Sequence, residues 1–99
     1  MRRAPAVLVA TVAGSVQETQ YGPVQVRVTV RAGRLVDVTA LQLPQNEPRS
    51  TEISVFSAPL LRQEALQAQS ASIDTVSGAT FTSDGYRASL SAALTSAKM

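Results

Sequence analysis

The sequence of 99 residues contains neither cysteine nor histidine. Without cysteine the chain has no disulfide, no thiolate metal site, no iron–sulfur cluster and no cysteine nucleophile. Without histidine it has neither a Ser-His-Asp triad nor the usual zinc sites. Any redox chemistry of this chain must therefore come from a bound organic cofactor.

Aromatic residues and excess charge are also scarce. The chain has two Tyr, two Phe and no Trp, while 44% of its residues are apolar, so the core of a folded domain must be aliphatic. The net charge is only +2, and the basic residues are scattered along the sequence, which does not predict a nucleic-acid-binding surface. No apolar run approaches the roughly 20 residues that span a bilayer. We expect one domain over residues 1–99, with its core at about residues 7–97.

The first residues allow two interpretations. Arg2 and Arg3, followed by the apolar residues 6–13, resemble the charged and apolar parts of a secretory signal. Alternatively, residues 7–15 form the first β-strand, and residues 1–5 are an irregular segment before it. We favour the strand, because the apolar stretch is short and continues into a strand pattern without a polar break.

The first half of the chain has the pattern of β-structure. Residues 7–17 are rich in valine, and residues 20–23 have the composition of a turn. The next stretch alternates polar residues with Val24, Val26, Val28 and Val30, which predicts a strand with one buried face. Ala32 and Gly33 then predict a tight hairpin, and residues 35–43 a third strand. These segments predict an antiparallel meander of about three strands.

The second half is predicted to be helical. After a loop at residues 44–49, a helix should begin near Ser50 or Thr51 and continue to about Gln69. Pro59 should kink this helix or begin a second segment, because it lacks a backbone donor. The apolar stripe of this helix is predicted at Ile53, Phe56, Leu60, Leu61, Ala65 and Ala68.

A last helix is predicted at about residues 83–97, with Thr82 or Ser83 as its N-cap. Its buried face should contain Tyr86, Leu90, Ala93, Leu94 and Ala97. The predicted fold class is therefore α+β, a small antiparallel sheet of about three strands packed against two helices.

Residues 74–86 are the segment most suited to chemistry. Ser77, Gly78, Ala79 and Thr80 are small enough for their amides to approach a ligand, and they precede a helix N-terminus, which favours phosphate. The segment is not a Walker loop, because no lysine follows a glycine at the required spacing. On small-residue content alone, a turn that merely caps the helix is the stronger interpretation.

The pattern Asp74-x-x-Ser77-Gly78-Ala79-Thr80 resembles the flavinylation motif of the FMN-binding domain family. That family includes flavinylated components of the sodium-translocating NADH:quinone reductase and of the Rnf complex, and the resemblance extends over roughly residues 10–97. It implies FMN as the cofactor, joined to Thr80 by a phosphoester. A separate Mg²⁺-dependent flavin transferase would install it from FAD and release AMP.

The resemblance also implies roles for the neighbouring residues. Ser77, Gly78 and Ala79 would recognise and surround the phosphate. Asp74 would take part in the same recognition, or would hydrogen-bond its own turn. The remaining candidates for contact with the cofactor are Phe81, Thr82, Ser83, Tyr86 and Tyr21, with Leu43 and Pro44 lining a ring pocket. For Tyr86 a place in the core, and for Tyr21 a place in a turn, are the stronger alternatives. Phe81 could shield the phosphate, and burial in the core is an equal alternative for it.

The function that this resemblance implies is electron transfer by a flavin-carrying domain rather than independent catalysis. The expected partners are the flavin transferase and electron donor and acceptor proteins, with a membrane reductase as a candidate. The expected location is the extracytoplasmic side of a membrane or outside the cell. The alternative is a module of the same fold that binds FMN reversibly, or a protein partner, without a redox role.

Overall fold

The computed structural model describes residues 9–97, which form an α+β domain. In chain order the elements are β1 (Val9–Ala13), β2 (Gln17–Thr19), β3 (Gly22–Arg31), β4 (Arg34–Gln42), α1 (Pro48–Ala68) and α2 (Thr80–Ser96). The predicted fold class is confirmed: four antiparallel strands form an open sheet with two helices. The predicted first strand began at residue 7, and residues 7 and 8 lie outside the described range.

The sheet has four strands rather than about three because the predicted first strand divides. Both β1 and β2 pair with β3, in registers Ala13↔Arg27 and Gln17↔Val24, so residues 14–16 stand opposite a shorter stretch of β3. A Cβ atom at Gly14 would lie 1.9 Å from the carbonyl oxygen of Ser89 in α2. The strand divides where the backbone of this helix approaches the sheet, and only glycine fits there.

The central strand β3 supplies much of the core. Its residues Val24, Val26, Val28 and Val30 are buried, as the alternation predicted. It leads into β4 through Ala32 and Gly33, whose φ angles of 52° and 78° are those of a tight two-residue hairpin, also as predicted.

Strand β4 departs from regular alternation at two bulges. Its register with β3 shifts between Thr29 and Val30 and again between Gln25 and Val26, which leaves Val36 and Leu41 without partners. Both bulged residues are exposed, at 43% and 42%. Because each bulge exchanges the two faces of the strand, Leu35 and Val38 both reach the core although they differ in parity.

Helix α1 differs from its prediction in its start, its continuity and its buried face. It begins at Pro48 after the N-cap Glu47, not near Ser50 or Thr51, and it continues through Pro59 as one helix, so the predicted second segment is wrong. Phe56 and Leu60 are 62% and 39% exposed rather than buried. The face that packs inward contains Ser50, Ser54, Ser57, Leu61 and Ala65.

The serines of this face bury their hydroxyls with partners. The Ser54 hydroxyl donates to the carbonyl of Pro44, and that of Ser57 to the carbonyl of Ile53, each at 2.7 Å. Because these side chains are small and their hydroxyls are hydrogen-bonded, the helix can pack closely against the segment at Pro44.

Helix α2 packs across the same face of the sheet as α1 and begins three residues earlier than predicted. Its N-cap is Ala79, so Thr82 and Ser83 are not caps but buried residues of the first turn. The predicted inward face is confirmed at Tyr86, Leu90, Ala93 and Leu94, while Ala97 is partly buried and lies at the C-cap. Within residues 9–97, no helix has the length and apolar character needed to cross a membrane.

Candidate functional site: the N-terminus of helix α2

The residues of the Asp74–Thr80 pattern form the turn that leads into α2. Gly78 has a φ angle of +82°, in the left-handed region that favours glycine. The amide of Ala79 donates to the carbonyl of Val76 at 2.9 Å, and the carbonyl of Ala79 accepts the first helical hydrogen bond, from Ser83, at 2.8 Å. Thr80 is consequently the first residue of the helix.

Side chains from both helices hold this turn in place. The buried Ser83 hydroxyl accepts a hydrogen bond from the amide of Val76 at 3.0 Å. The carboxylate of Glu64 in α1 accepts one from the amide of Asp74, also at 3.0 Å. The backbone on the N-terminal side of Gly78 is thus tied to both helices before any ligand binds.

Arg87, one helical turn after Ser83, holds the same segment at a third point. Its guanidinium donates to the carbonyl of Ile73 at 3.1 Å and to the carboxylate of Asp84 at 2.7 Å. The same contact makes an ion pair that compensates the negative charge of Asp84 near the start of the helix.

Burial divides the candidate residues into two groups. Asp74, Ser77, Gly78, Thr80 and Phe81 are exposed around the start of α2. The side chains that turn inward, each at most 4% exposed, are those of Ala79, Thr82, Ser83 and Tyr86.

The inward-facing candidates therefore support the site from below. The hydroxyl of Ser83 is engaged with Val76, and Tyr86 occupies the core, the stronger of the two places considered for it. Burial raises the pKa of the Tyr86 hydroxyl well above its ordinary value. A ligand at the surface meets the first group of residues, not these.

The N-terminus of α2 has no side-chain cap. Ala79 has no side-chain acceptor to offer, and the first turn of the helix contains no acidic residue. The amides of the first turn lie at the positive end of the helix dipole and are the groups that ordinarily bind a phosphate. A Cβ atom at Gly78 would meet no atom within 4 Å, so the space beside the turn is open.

A groove of about 370 Å³ adjoins this helix start. It is lined by Phe81, Asp84 and Gly85 of α2 and by residues 17–20 of β2 and the following turn. Phe81 is 48% exposed, and its ring meets the Tyr21 ring edge-on, with centroids 5.3 Å apart and planes at 68°. Of the two places predicted for Phe81, the structure has it at the surface, as an aromatic wall next to Thr80.

Sequence reasoning missed the residues of β2 that form the other wall of this groove. Their proximity to α2 follows from Gly85, where a Cβ atom would lie 2.9 Å from Val24. Gly85 brings the helix against β3, and β2 is paired beside it. A glycine inside a predicted helix was the available signal of such a close approach.

Leu43 and Pro44 line a different groove, of about 270 Å³, between the end of β4 and α1. Pro44 itself is fully buried. The loop after it reaches the turn at Tyr21, where the amide of Asn46 donates to the Tyr21 carbonyl at 3.2 Å. The structure thus assigns these two residues to a second groove, distinct from the one that Phe81 lines.

Fold and site together define a small α+β domain that presents an exposed threonine, an uncapped helix N-terminus and an aromatic-walled groove in one place. These features fit a cofactor that has both a phosphate and a planar ring. The model of the FMN-binding domain family matches residues 20–95, and the chain belongs to this family. Its cofactor is FMN. A comparison with curated proteins finds no match.

Proposed function

We propose that this domain carries FMN on Thr80 through a phosphoester and passes electrons between partner proteins. The observation that carries the proposal is the position of Thr80, which is exposed at the first residue of α2 beside amides that no side chain caps. A hydroxyl there is open to modification, and a phosphate bound to it lies at the positive end of the helix.

In the proposed modification, the Thr80 oxygen attacks the FMN-side phosphorus of FAD. A phosphorus–oxygen ester bond forms, the pyrophosphate bond breaks, AMP leaves and the hydroxyl proton is released. The motif's resemblance to that of the flavinylated family members supports a separate flavin transferase, dependent on Mg²⁺, as the catalyst. Ser77 and Gly78 are exposed next to Thr80 and suit contact with that enzyme or with the phosphate.

The groove beside Phe81 is the place that we propose for the ring end of FMN. Phe81 and Tyr21 form an aromatic pair there, and exposed aromatic rings stack on planar groups. Residues 17–19 of this wall are held in place by the pairing of β2 with β3. When bound, FMN supplies the one- and two-electron chemistry that the side chains lack.

A covalent link suits a domain of this size. The groove is shallow, so reversible affinity alone would hold the cofactor weakly, whereas an ester makes retention independent of affinity. An open groove also leaves the ring accessible to electron donor and acceptor proteins. A membrane reductase is our candidate partner, with the domain on the extracytoplasmic side of the membrane or secreted. These two assignments rest on the family resemblance.

The test is to produce the chain together with a flavin transferase and to precipitate it with acid. Wild-type protein should keep its yellow colour in the pellet, and the substitution Thr80→Ala should abolish it. Thr75→Ala is the matched control, because Thr75 is an exposed threonine of the same segment outside the proposed acceptor position. Colour released from wild-type protein into the acid supernatant would indicate reversible binding and contradict the covalent proposal.

A further inference from the structure

The face of the sheet opposite the helices carries a group of basic side chains. Arg27 and Arg31 lie on the same face of β3, and Arg34 of β4 stands directly opposite Arg31 across the hairpin. All three side chains are exposed. The structure therefore gathers arginines that are scattered along the sequence.

The acidic residues on the same face as this group, Arg27, Arg31 and Arg34, are Asp37, which stands opposite Thr29, and Glu18, which stands opposite Pro23, so basic residues are in excess there. Between residues 9 and 97 the ion pairs are Arg62–Asp37 and Arg87–Asp84. Asp37 is the one acidic residue of β1, β3 and β4, and Arg62 already holds it at 2.7 Å. Like charges directly opposite each other destabilise a strand pair, so the Arg31–Arg34 pair is a repulsion that an anionic partner would relieve.

We propose that this arginine face binds the anionic headgroups of a phospholipid membrane. Strands β1, β3 and β4 have 5, 10 and 9 residues, so their common face measures at most about 33 by 14 Å, or roughly 450 Å². That area is well below the approximately 800 Å² per partner of a stable protein complex. The outward residues around the arginines are threonines, glutamines, alanine, valine and the Asp37 that Arg62 holds, without the aromatic anchors of a protein interface. A lipid surface requires neither shape complementarity nor anchors, only charge.

Membrane binding through this face is compatible with the site on α2. Both helices cover the other face of the sheet, so the N-terminus of α2 remains in the aqueous phase when the arginine face meets lipid. The inference is independent of the cofactor, and the unmodified chain is sufficient to test it.

The experiment is co-sedimentation with vesicles of phosphatidylglycerol or of phosphatidylcholine at low ionic strength. We expect binding to the anionic vesicles alone, and its loss when salt is raised. Arg31→Gln should weaken the partition about fivefold, and Arg31→Gln combined with Arg34→Gln about 25-fold. Arg49→Gln removes the same charge from an exposed position in α1 and should change the partition less than about twofold.

Three results would overturn the proposal. One is equal binding to phosphatidylcholine, and another is an equal loss for Arg31→Gln and Arg49→Gln, which would indicate a general charge effect. The third is retention on immobilised polyglutamate without binding to anionic vesicles, which would identify an acidic protein as the occupant instead.

Discussion

Two buried serines of α2 perform the same chemical task in different parts of the domain. The hydroxyl of Ser83 accepts a hydrogen bond from the amide of Val76, in the segment before Thr80, and that of Ser89 accepts one from the amide of Val26 in β3. Both distances are 3.0 Å, and the two serines are 1% and 0% exposed. Ser83→Ala and Ser89→Ala are therefore a matched pair of perturbations, one at the site and one at the sheet.

The two substitutions should destabilise the fold to a similar extent. Each leaves a buried amide without an acceptor, which costs about 1–3 kcal/mol. The higher helix propensity of alanine offsets about 0.5 kcal/mol of this cost. The net loss of about 0.5–2.5 kcal/mol should lower the melting temperature by roughly 2–20 °C for a domain of this size. Thermal unfolding followed by circular dichroism measures it.

Flavinylation should distinguish the pair. Ser83→Ala releases the backbone at Val76 and so loosens the turn that presents Thr80, and we expect transferase-dependent incorporation of FMN about three- to tenfold slower than in the wild type. Ser89→Ala leaves that turn intact and should flavinylate at the wild-type rate below its melting temperature. Equal rates for the two variants would refute the idea that Ser83 preorganises the acceptor turn.

Three further predictions concern the fold itself. Gly14→Ala should cost about 3 kcal/mol or more in urea unfolding, because its Cβ would meet the Ser89 carbonyl; a smaller loss would refute the tight approach. Arg62 holds the pKa of Asp37 below its usual value, so the pair stabilises the fold above about pH 4 and is lost on acidification. Asp37→Asn should flatten that acid dependence and cost within about 1 kcal/mol at pH 7, since the pair is exposed. Burial raises the pKa of Tyr86, so stability should fall above about pH 10, where the unfolded chain ionises first, and Tyr86→Phe should remove that fall in an alkaline titration.

The sequence predicted those elements in which local pattern and tertiary environment agree. The alternation along β3 and the Ala32–Gly33 hairpin were correct because one face of the strand is buried and the turn needs positive φ. The inward face of α2 was correct because its apolar residues recur at helical spacing.

The pattern failed where a neighbouring element decides the outcome. In α1 the apolar residues Phe56 and Leu60 suggested the buried face. The face that packs against the rest of the domain instead contains the small residues Ser50, Ser54 and Ser57. The bulges at Val36 and Leu41 and the divided first strand depend on pairing and on the approach of α2. Of these features, the divided first strand has a local signal in the sequence, which is Gly14, and the bulges have none.

At the site, the segment was predictable and the exposure of its side chains was not. Small residues, hydroxyls and a following helix pointed to residues 74–86. Which of the hydroxyls face water depends on where α2 begins, and it begins at Thr80 rather than near Ser83. That shift places Thr80 at the surface and turns Thr82 and Ser83 into the core.

The most direct test of the central claim is peptide mapping of the chain after co-production with a flavin transferase. Cleavage after Arg62 and Arg87 releases one peptide, residues 63–87, that contains the whole motif. We predict that this peptide gains the mass of one FMN less one water, and that fragmentation localises the gain to Thr80. A gain on any other residue, or an unmodified peptide beside an active transferase, would contradict the account.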